Sequence, residues 1–141
     1  TCIECIRESW PYPVDSLSII SSDGQKRDLG RYDLLLSPSL AWSADGKSVA
    51  YSEKGKLCVL SLSDGQRSCP LVGLEPYGSY YAAFDAPPVW SPDNRWLAFR
   101  AAGYDNGGIC DGVYALELAT REVVVVEEGS CGVGFLYWVE E

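Results

Sequence analysis

The chain of 141 residues contains no histidine. Without histidine, neither a Ser-His-Asp nor a Cys-His nucleophile arrangement can be built within this chain. A zinc site at Cys2 and Cys5 would need two further ligands, and a redox Cys-x-x-Cys pair would need a βαβ context. The sequence also lacks a Gly-x-Ser-x-Gly elbow and a glycine-rich phosphate loop that leads into a helix. We therefore expect no catalytic residue, no metal and no cofactor, and interpret the chain as a non-enzyme.

Positive charge and long apolar runs are also scarce. Eleven basic residues stand against twenty acidic ones, and the net charge of −9 repels phosphate backbones and anionic lipid. The run from Val123 to Val126 is far shorter than the roughly 20 residues that a membrane helix requires. Residues 105–112 are rich in Asp, Asn and Gly, which is more typical of turns than of a calcium loop. We predict neither nucleic-acid binding nor a membrane span.

Methionine is absent, so Thr1 is not expected to be a translation start. We interpret it as a terminus left by processing or as the edge of an excised fragment. The six cysteines form an even set, which favours disulfides and an oxidising compartment. The predicted location is secreted, extracellular or at the cell surface, and the periplasm also fits.

The sequence does contain a repeat. Trp42 and Trp90 each begin a Trp-Ser-x-Asp motif in which an apolar strand ends, a tight turn follows on Asp-Gly or Asp-Asn, and a second apolar strand begins. Trp138 lies 48 positions after Trp90, the same spacing that separates Trp90 from Trp42. A fixed period of this length indicates a repeat architecture.

Each unit also contains a second hairpin. Its turns lie at Asp23-Gly24, Asp64-Gly65 and Thr120-Arg121, between segments of alternating apolar and polar residues. No stretch shows a helical period with a stop signal, so we predict an all-β protein. With strands a to d in each unit, 38–72 and 86–128 are complete, 5–36 lacks strand a, and 133–139 is a strand a alone.

These motifs resemble the TolB-type, WD-like β-propeller repeat. The resemblance covers almost the whole chain in three units, and it implies one blade of four antiparallel strands per unit. Residues 1–141 are predicted to form a single propeller-like domain. The motif at Trp90 fits fully, Ala44 replaces the proline in the motif at Trp42, and the third copy keeps only Trp138. The resemblance implies no activity, because such propellers serve as scaffolds, binding platforms and enzyme domains.

The number of units departs from closed propellers, which typically have four to eight blades. The C-terminal strand a can complete the N-terminal blade of another subunit, a head-to-tail contact that yields a ring or a filament. The alternative is that the chain is a fragment of a longer propeller. The predicted donor strand comprises Phe135, Leu136, Tyr137, Trp138 and Val139, and the acceptor edge runs from Cys5 and Ile6 to Trp10.

The positions of four of the cysteines fit disulfides across two of the predicted hairpins. With a two-residue turn at Thr120-Arg121, Cys110 and Cys131 fall opposite one another, and Cys58 and Cys69 come within a residue or two of facing each other. A bond between Cys2 and Cys5 would require a turn, because i and i+3 point to opposite faces of a strand. They can instead pair elsewhere, including with a neighbouring subunit.

One aromatic segment lies outside the repeat. Tyr77, Tyr80, Tyr81 and Phe84 fall in an enlarged connection that is predicted to be a loop, where aromatic rings suit a protein interface or a sugar ring. The same rings could instead cover the flank of a blade. The preferred function is a non-catalytic, self-assembling structural protein. The alternatives are a glycan- or ligand-binding propeller and a fragment of a larger envelope protein or peptidase.

Overall fold

The computed structural model describes residues 2–7, 15–32, 40–53, 56–72, 80–82, 87–103, 110–129 and 136–139. These residues form twelve β-strands and no helix, so the predicted all-β class is confirmed. The described part of the chain accordingly has no helix that could cross a membrane.

The strands form three antiparallel sheets, which we call blades 1, 2 and 3. Blade 1 comprises β1 (Cys2–Arg7), β2 (Asp15–Ile20) and β3 (Lys26–Tyr32). Blade 2 comprises β4 (Ala41–Trp42), β5 (Ser48–Glu53), β6 (Lys56–Ser61) and β7 (Arg67–Ser68). Blade 3 comprises β8 (Tyr80–Ala82), β9 (Val89–Trp90), β10 (Trp96–Gly103), β11 (Cys110–Glu117) and β12 (Val123–Glu128).

The order of strands follows the predicted a-b-c-d plan. Blade 2 has the order β4-β5-β6-β7, and blade 1 has β1-β2-β3, which correspond to b, c and d. In blade 3 the strand-a side of β10 is shared by two pieces: β9 pairs with Leu97 and Ala98, and β8 pairs with Ala101 to Gly103. The exact predicted unit boundaries stay a prediction.

Two apolar clusters hold adjacent blades together. One joins blades 1 and 2 through Leu17 and Ile19 on one side and Val49, Tyr51 and Leu60 on the other. The second joins blades 2 and 3 and is built on these buried residues: Ala50, Leu57, Leu71, Leu97, Phe99, Ala101, Tyr114 and Leu116. Because side chains alternate along a strand, the central blade sends one set of residues into each cluster.

The a–b turns explain the Trp-Ser-x-Asp motif. The Ser43 hydroxyl donates to Asp45 Oδ1 (2.7 Å) and accepts from the Ser48 N–H (2.9 Å). Ser91 does the same with Asp93 (2.6 Å) and Trp96 (2.9 Å). Both serines are 4 % exposed, so these contacts satisfy polar groups that the hairpin buries.

The third c–d hairpin differs from the prediction. Leu116 pairs with Val123, and the Glu117 N–H donates to the Glu122 carbonyl, so the turn contains four residues instead of two. A bulge follows, because Val113 pairs with Glu127 whereas Tyr114 pairs with Val125. The predicted register, in which 118 faces 123 and 114 faces 127, was therefore wrong. The longer turn accommodates Arg121 at φ 62°.

The aromatic segment is also not simply a loop. Tyr80 and Tyr81 lie in β8, which extends the strand-a side of blade 3. Tyr77 and Phe84 lie outside the described residues. The predicted binding role of the four aromatic residues stays a prediction.

Candidate functional site: the junctions between blades

The same tryptophan contact occurs at two successive junctions. The Trp90 indole N–H donates to the Ala41 carbonyl, and the Trp138 indole N–H donates to the Val89 carbonyl, each at 3.0 Å. Each acceptor is the residue immediately before the tryptophan of the preceding repeat. Trp138 thus bonds to blade 3 as Trp90 bonds to blade 2.

The segment Leu136–Val139 has the pattern of a strand without a strand partner in the part of the chain that the structure describes. Leu136 and Trp138 are half-buried, whereas Tyr137 is 79 % exposed and Val139 is 72 % exposed. Such alternation is what one face of a strand packed on blade 3 produces. The segment itself is not assigned to a strand, and Phe135, the first predicted donor residue, lies outside the described residues.

Val139 occupies the motif position that Ser43 and Ser91 occupy in the complete blades. Valine can neither donate to an aspartate at the second following position nor accept from the first N–H of strand b. The segment therefore lacks the side chain that closes both described a–b turns.

The opposite edge is β1. It pairs with β2 in a regular register from Cys2↔Ile20 to Arg7↔Asp15, and no described strand pairs with its other side. Cys5 and Ile6 of the predicted acceptor edge lie within β1, and Trp10 lies outside the described residues. Cys2 and Cys5 both lie within β1, and their disulfide partners stay a prediction.

Asn94 makes a junction contact that the sequence analysis missed. Its Oδ1 accepts from the N–H groups of Ala44 (2.6 Å) and Asp45 (3.4 Å), which belong to the a–b turn of blade 2. Its backbone is left-handed, with φ 61°, where the preceding repeat has Gly46 at φ 69°. Ala44 in place of the motif's proline supplies an N–H that proline lacks.

Arg121 makes the second missed contact. Its Nε (2.8 Å) and Nη2 (2.6 Å) donate to the Pro70 carbonyl, and Nη2 also donates to the Val72 carbonyl (2.9 Å). Arg121 likewise has a left-handed backbone, and the corresponding residue of blade 2 is Gly65 at φ 71°. Among the described residues, these are the two non-glycine residues with positive φ, and both reach blade 2. Aligning the repeats and asking where glycine is replaced would have singled out these two positions, but not their partners in blade 2.

The aspartates of the a–b turns are held ionised. A hydrogen bond from the Ser43 hydroxyl, and then one from the Lys47 N–H, lowers the pKa of Asp45. The Ser91 hydroxyl and the Arg95 N–H lower the pKa of Asp93 in the same way. Glu117, 9 % exposed, accepts from Thr120 and pairs with Arg95 at 2.5 Å, and these contacts lower its pKa.

Cys58 and Cys69 form a disulfide, with a Cα–Cα distance of 4.0 Å. The bond ties β6 to the residue after β7 and fits an oxidising compartment. Cys110 starts β11, and Cys131 lies outside the described residues, so their predicted bond stays a prediction. Within the described ranges, no cluster of three or more potential metal ligands occurs.

No protein-family model and no curated protein matches the sequence. Among solved structures, TolB from Acinetobacter baumannii is 27 % identical over 79 % of this chain, with a TM-score of 0.57. The three sheets are β-propeller blades similar to those of TolB. The family resemblance and the blade architecture predicted from the sequence are therefore confirmed.

Two further solved structures share the fold. An oligogalacturonate lyase in complex with manganese is 15 % identical over 81 % of the chain, with a TM-score of 0.60. The oligogalacturonate lyase from Vibrio parahaemolyticus is 12 % identical over 89 %, with a TM-score of 0.59. This chain spans only 26 % of the TolB structure and 34 % and 42 % of the two lyases. The same fold thus occurs in proteins named as enzymes and in TolB, and the fold alone does not imply an activity.

Proposed function

We propose that this TolB-type blade module is a non-catalytic, secreted or cell-surface structural protein that assembles head to tail by strand completion. Leu136–Val139 of one copy acts as strand a for blade 1 of the next copy. The acceptor is the outer side of β1, and main-chain hydrogen bonds supply the pairing. The observation that carries the proposal is the Trp138 bond to Val89, which repeats the Trp90 bond to Ala41.

Two edges of complementary kind support this reading. Leu136–Val139 resembles a strand a that has no described strand b, and β1 is a strand b that has no described strand a. A strand at the edge of a sheet presents unpaired backbone N–H and C=O groups, which form a template for pairing with another chain. The exposed Tyr137 and Val139 side chains would be covered by the incoming blade.

Val139 favours completion by a separate copy. In blades 2 and 3, strand b follows strand a through a turn that Ser43 or Ser91 closes. A strand b that arrives from another molecule needs no such turn, so valine can replace serine at this position. Because the contact is heterologous, it gives either a closed ring or an open filament.

The second candidate is a segment of a longer propeller, in which strand b comes from the same polypeptide. The limited share of TolB and of the lyases that the chain covers favours it. Under this reading head-to-tail association of separate chains is not part of the function.

Light scattering of the intact chain and of a chain without residues 133–141 separates the two. We expect the intact chain to have a mass of two or more copies and the truncated chain to be smaller, with unchanged far-ultraviolet circular dichroism. An intact chain that is already monomeric contradicts strand completion.

A peptide of residues 133–141 provides the matched control. Added in excess, it should occupy β1 and reduce the mass of the assembly, whereas the same peptide with Trp138→Ala should be weaker. Equal effects of the two peptides would contradict a role for the tryptophan contact.

A further inference from the structure

The outer strands of the three blades differ in how they protect their free edges. In blade 2, β7 has two residues, and Cys69 with its disulfide and Pro70 follow directly. A short strand and a nearby proline are common ways of preventing edge-to-edge pairing. The outer strand of blade 3 has neither feature within the described residues.

The outer strand β12 is long and apolar. Its exposed valines are Val124 at 42 %, Val125 at 42 % and Val126 at 62 %, while Val123 packs on the core between blades 2 and 3. β12 pairs with β11, and no other described strand lies beside it. Three exposed valines on an edge strand without lysine or proline indicate a surface that another strand covers.

The charges beside these valines indicate which strand that is. Glu122 precedes β12, and Glu127 and Glu128 form its end, all three exposed. A partner strand should therefore carry cations at matching positions. The outer strand of blade 1 does, because β3 begins with the exposed Lys26 and Arg27.

We propose that the outer edge of β12 pairs antiparallel with the outer edge of β3 of a second copy of this chain. Blade 2 lies between blades 1 and 3, with one apolar cluster on each side, so the two strands of a single chain are separated. The pairing is a lateral contact between the rims of two molecules. It is independent of the head-to-tail contact and would join chains or filaments side by side.

One register satisfies both charge and shape. With Glu128 opposite Lys26, Glu127 lies opposite Arg27 and Val125 opposite Leu29. The residues at the register shifts, Val126 on β12 and Leu29 on β3, then fall within one position of being opposite each other, so the two strands bend at nearly the same place.

The one acidic residue of β3 does not oppose this register strongly. Asp28 Oδ1 accepts a hydrogen bond from the Gly30 N–H at 2.8 Å, so its carboxylate is engaged within its own strand. Arg27 donates to the Leu62 carbonyl of blade 2 at 2.5 Å, so Lys26 is the cation of this edge that no contact among the described residues engages.

Zero-length cross-linking with a water-soluble carbodiimide tests the pairing directly, because it joins an amine only to a carboxylate in contact with it. Equal amounts of unlabelled and ¹⁵N-labelled chain are mixed, cross-linked and digested. We expect a mixed-isotope peptide pair that joins Lys26 to Glu127 or Glu128. Lys26→Arg should lose this cross-link and keep the association, because the charge remains. Absence of a mixed-isotope cross-link in the unmodified protein overturns the proposal.

Charge reversal gives a quantitative test by sedimentation. Lys26→Glu and Glu128→Lys should each weaken lateral association about threefold, and the double variant should regain most of the loss. If the double variant loses as much lateral association as the two single variants combined, the assigned register is overturned.

A lysine among the exposed valines of β12 should weaken lateral association more than charge reversal at Lys26 or Glu128 does. We expect Val126→Lys to weaken association at least about tenfold, since a charge would be placed in the pairing edge. The matched control is Val72→Lys, a valine 47 % exposed that follows β7 of blade 2 and bonds to Arg121 through its main-chain carbonyl, which the substitution keeps. Equal effects of the two lysines would overturn the proposal, because they would reflect charge alone.

The chain without residues 133–141 distinguishes this contact from strand completion. Lateral cross-links should persist in that chain although head-to-tail assembly is lost. If the truncation abolishes the cross-link, the lateral contact is not independent and this inference is wrong. If the truncation changes neither the mass nor the cross-link, the proposed function is wrong and this inference stands, whereas a monomeric intact chain contradicts both.

Discussion

Two junctions of this molecule use the same tryptophan contact but differ in everything around it. At the junction of blades 2 and 3, the Trp90 bond is accompanied by an apolar cluster, by Asn94 and by Arg121. At the next junction, the Trp138 bond stands without a serine-closed turn, and the neighbouring Tyr137 and Val139 side chains are exposed. Among the described residues, the first junction combines the tryptophan bond with apolar packing and two further side chains, whereas the second shows the tryptophan bond beside exposed side chains.

The largest expected difference is between two tryptophan substitutions. Trp90→Ala removes a side chain that packs on the apolar cluster, so we expect a loss of about 3 kcal/mol in the free energy of unfolding. Trp138→Ala should cost about 1 kcal/mol or less in the dissociated chain, since mainly one hydrogen bond is lost. Urea unfolding at low protein concentration measures both. Equal losses would mean that the two junctions are equally complete.

The second prediction concerns Arg121. We expect Arg121→Asn to lower the free energy of unfolding by about 1 kcal/mol, because asparagine tolerates the left-handed backbone but cannot reach Pro70 and Val72. Arg121→Gly should be similar or milder, since glycine relieves the strained φ as well. The same urea titration measures the effect. If both variants are as stable as the unmodified chain, the arginine does not hold the blades together.

The third prediction separates the two roles of Asn94. Asn94→Ala loses the contacts to Ala44 and Asp45, and alanine tolerates the left-handed backbone less well than asparagine, so we expect a loss of about 1–2 kcal/mol. Asn94→Gly should lose less because its backbone is unstrained there, and Asn94→Asp should keep the acceptor oxygen. Amide hydrogen exchange at Ala44 and Asp45 provides an independent reading, with faster exchange in the Ala and Gly variants only. Unchanged exchange at these two amides in Asn94→Ala would contradict the hydrogen bonds assigned to Asn94.

The smallest effect is the response to acid. Because the folded-state pKa values of Asp45 and Asp93 lie below the ordinary 3.8, their contribution is fully present above that value and is lost as the pH falls through the folded pKa. Glu117 behaves in the same way from its ordinary 4.5. We expect stability to be nearly constant above about pH 5 and to decline below about pH 4. Asp93→Asn should flatten this decline slightly, and a steeper decline in that variant would contradict the assignment.

The repeat itself could be predicted because its signals are local. The spacing of Trp42, Trp90 and Trp138 and the Asp-Gly turns reflect backbone requirements of single hairpins, and they led to the all-β blades that the structure contains. The third c–d turn was misjudged because Arg121 takes a left-handed conformation that sequence rules assign to glycine or asparagine.

The junction contacts could not be predicted in the same way. Asn94 and Arg121 bond to backbone groups roughly 50 residues away, and nothing in their own neighbourhood indicates a distant acceptor or donor. The strand at Tyr80 was missed because it pairs with the last residues of β10. The short β9, which follows it in the sequence, pairs with an earlier part of β10. Long-range pairing, not local propensity, decides these features.

Hydrogen exchange at two chain concentrations tests strand completion most directly. If copies join through these edges, the amides of Leu136–Val139 and those of β1 should become protected together as the concentration rises, and Trp138→Ala should abolish the change in both. Exchange in the two segments that does not depend on concentration, or protection of one without the other, would contradict the account.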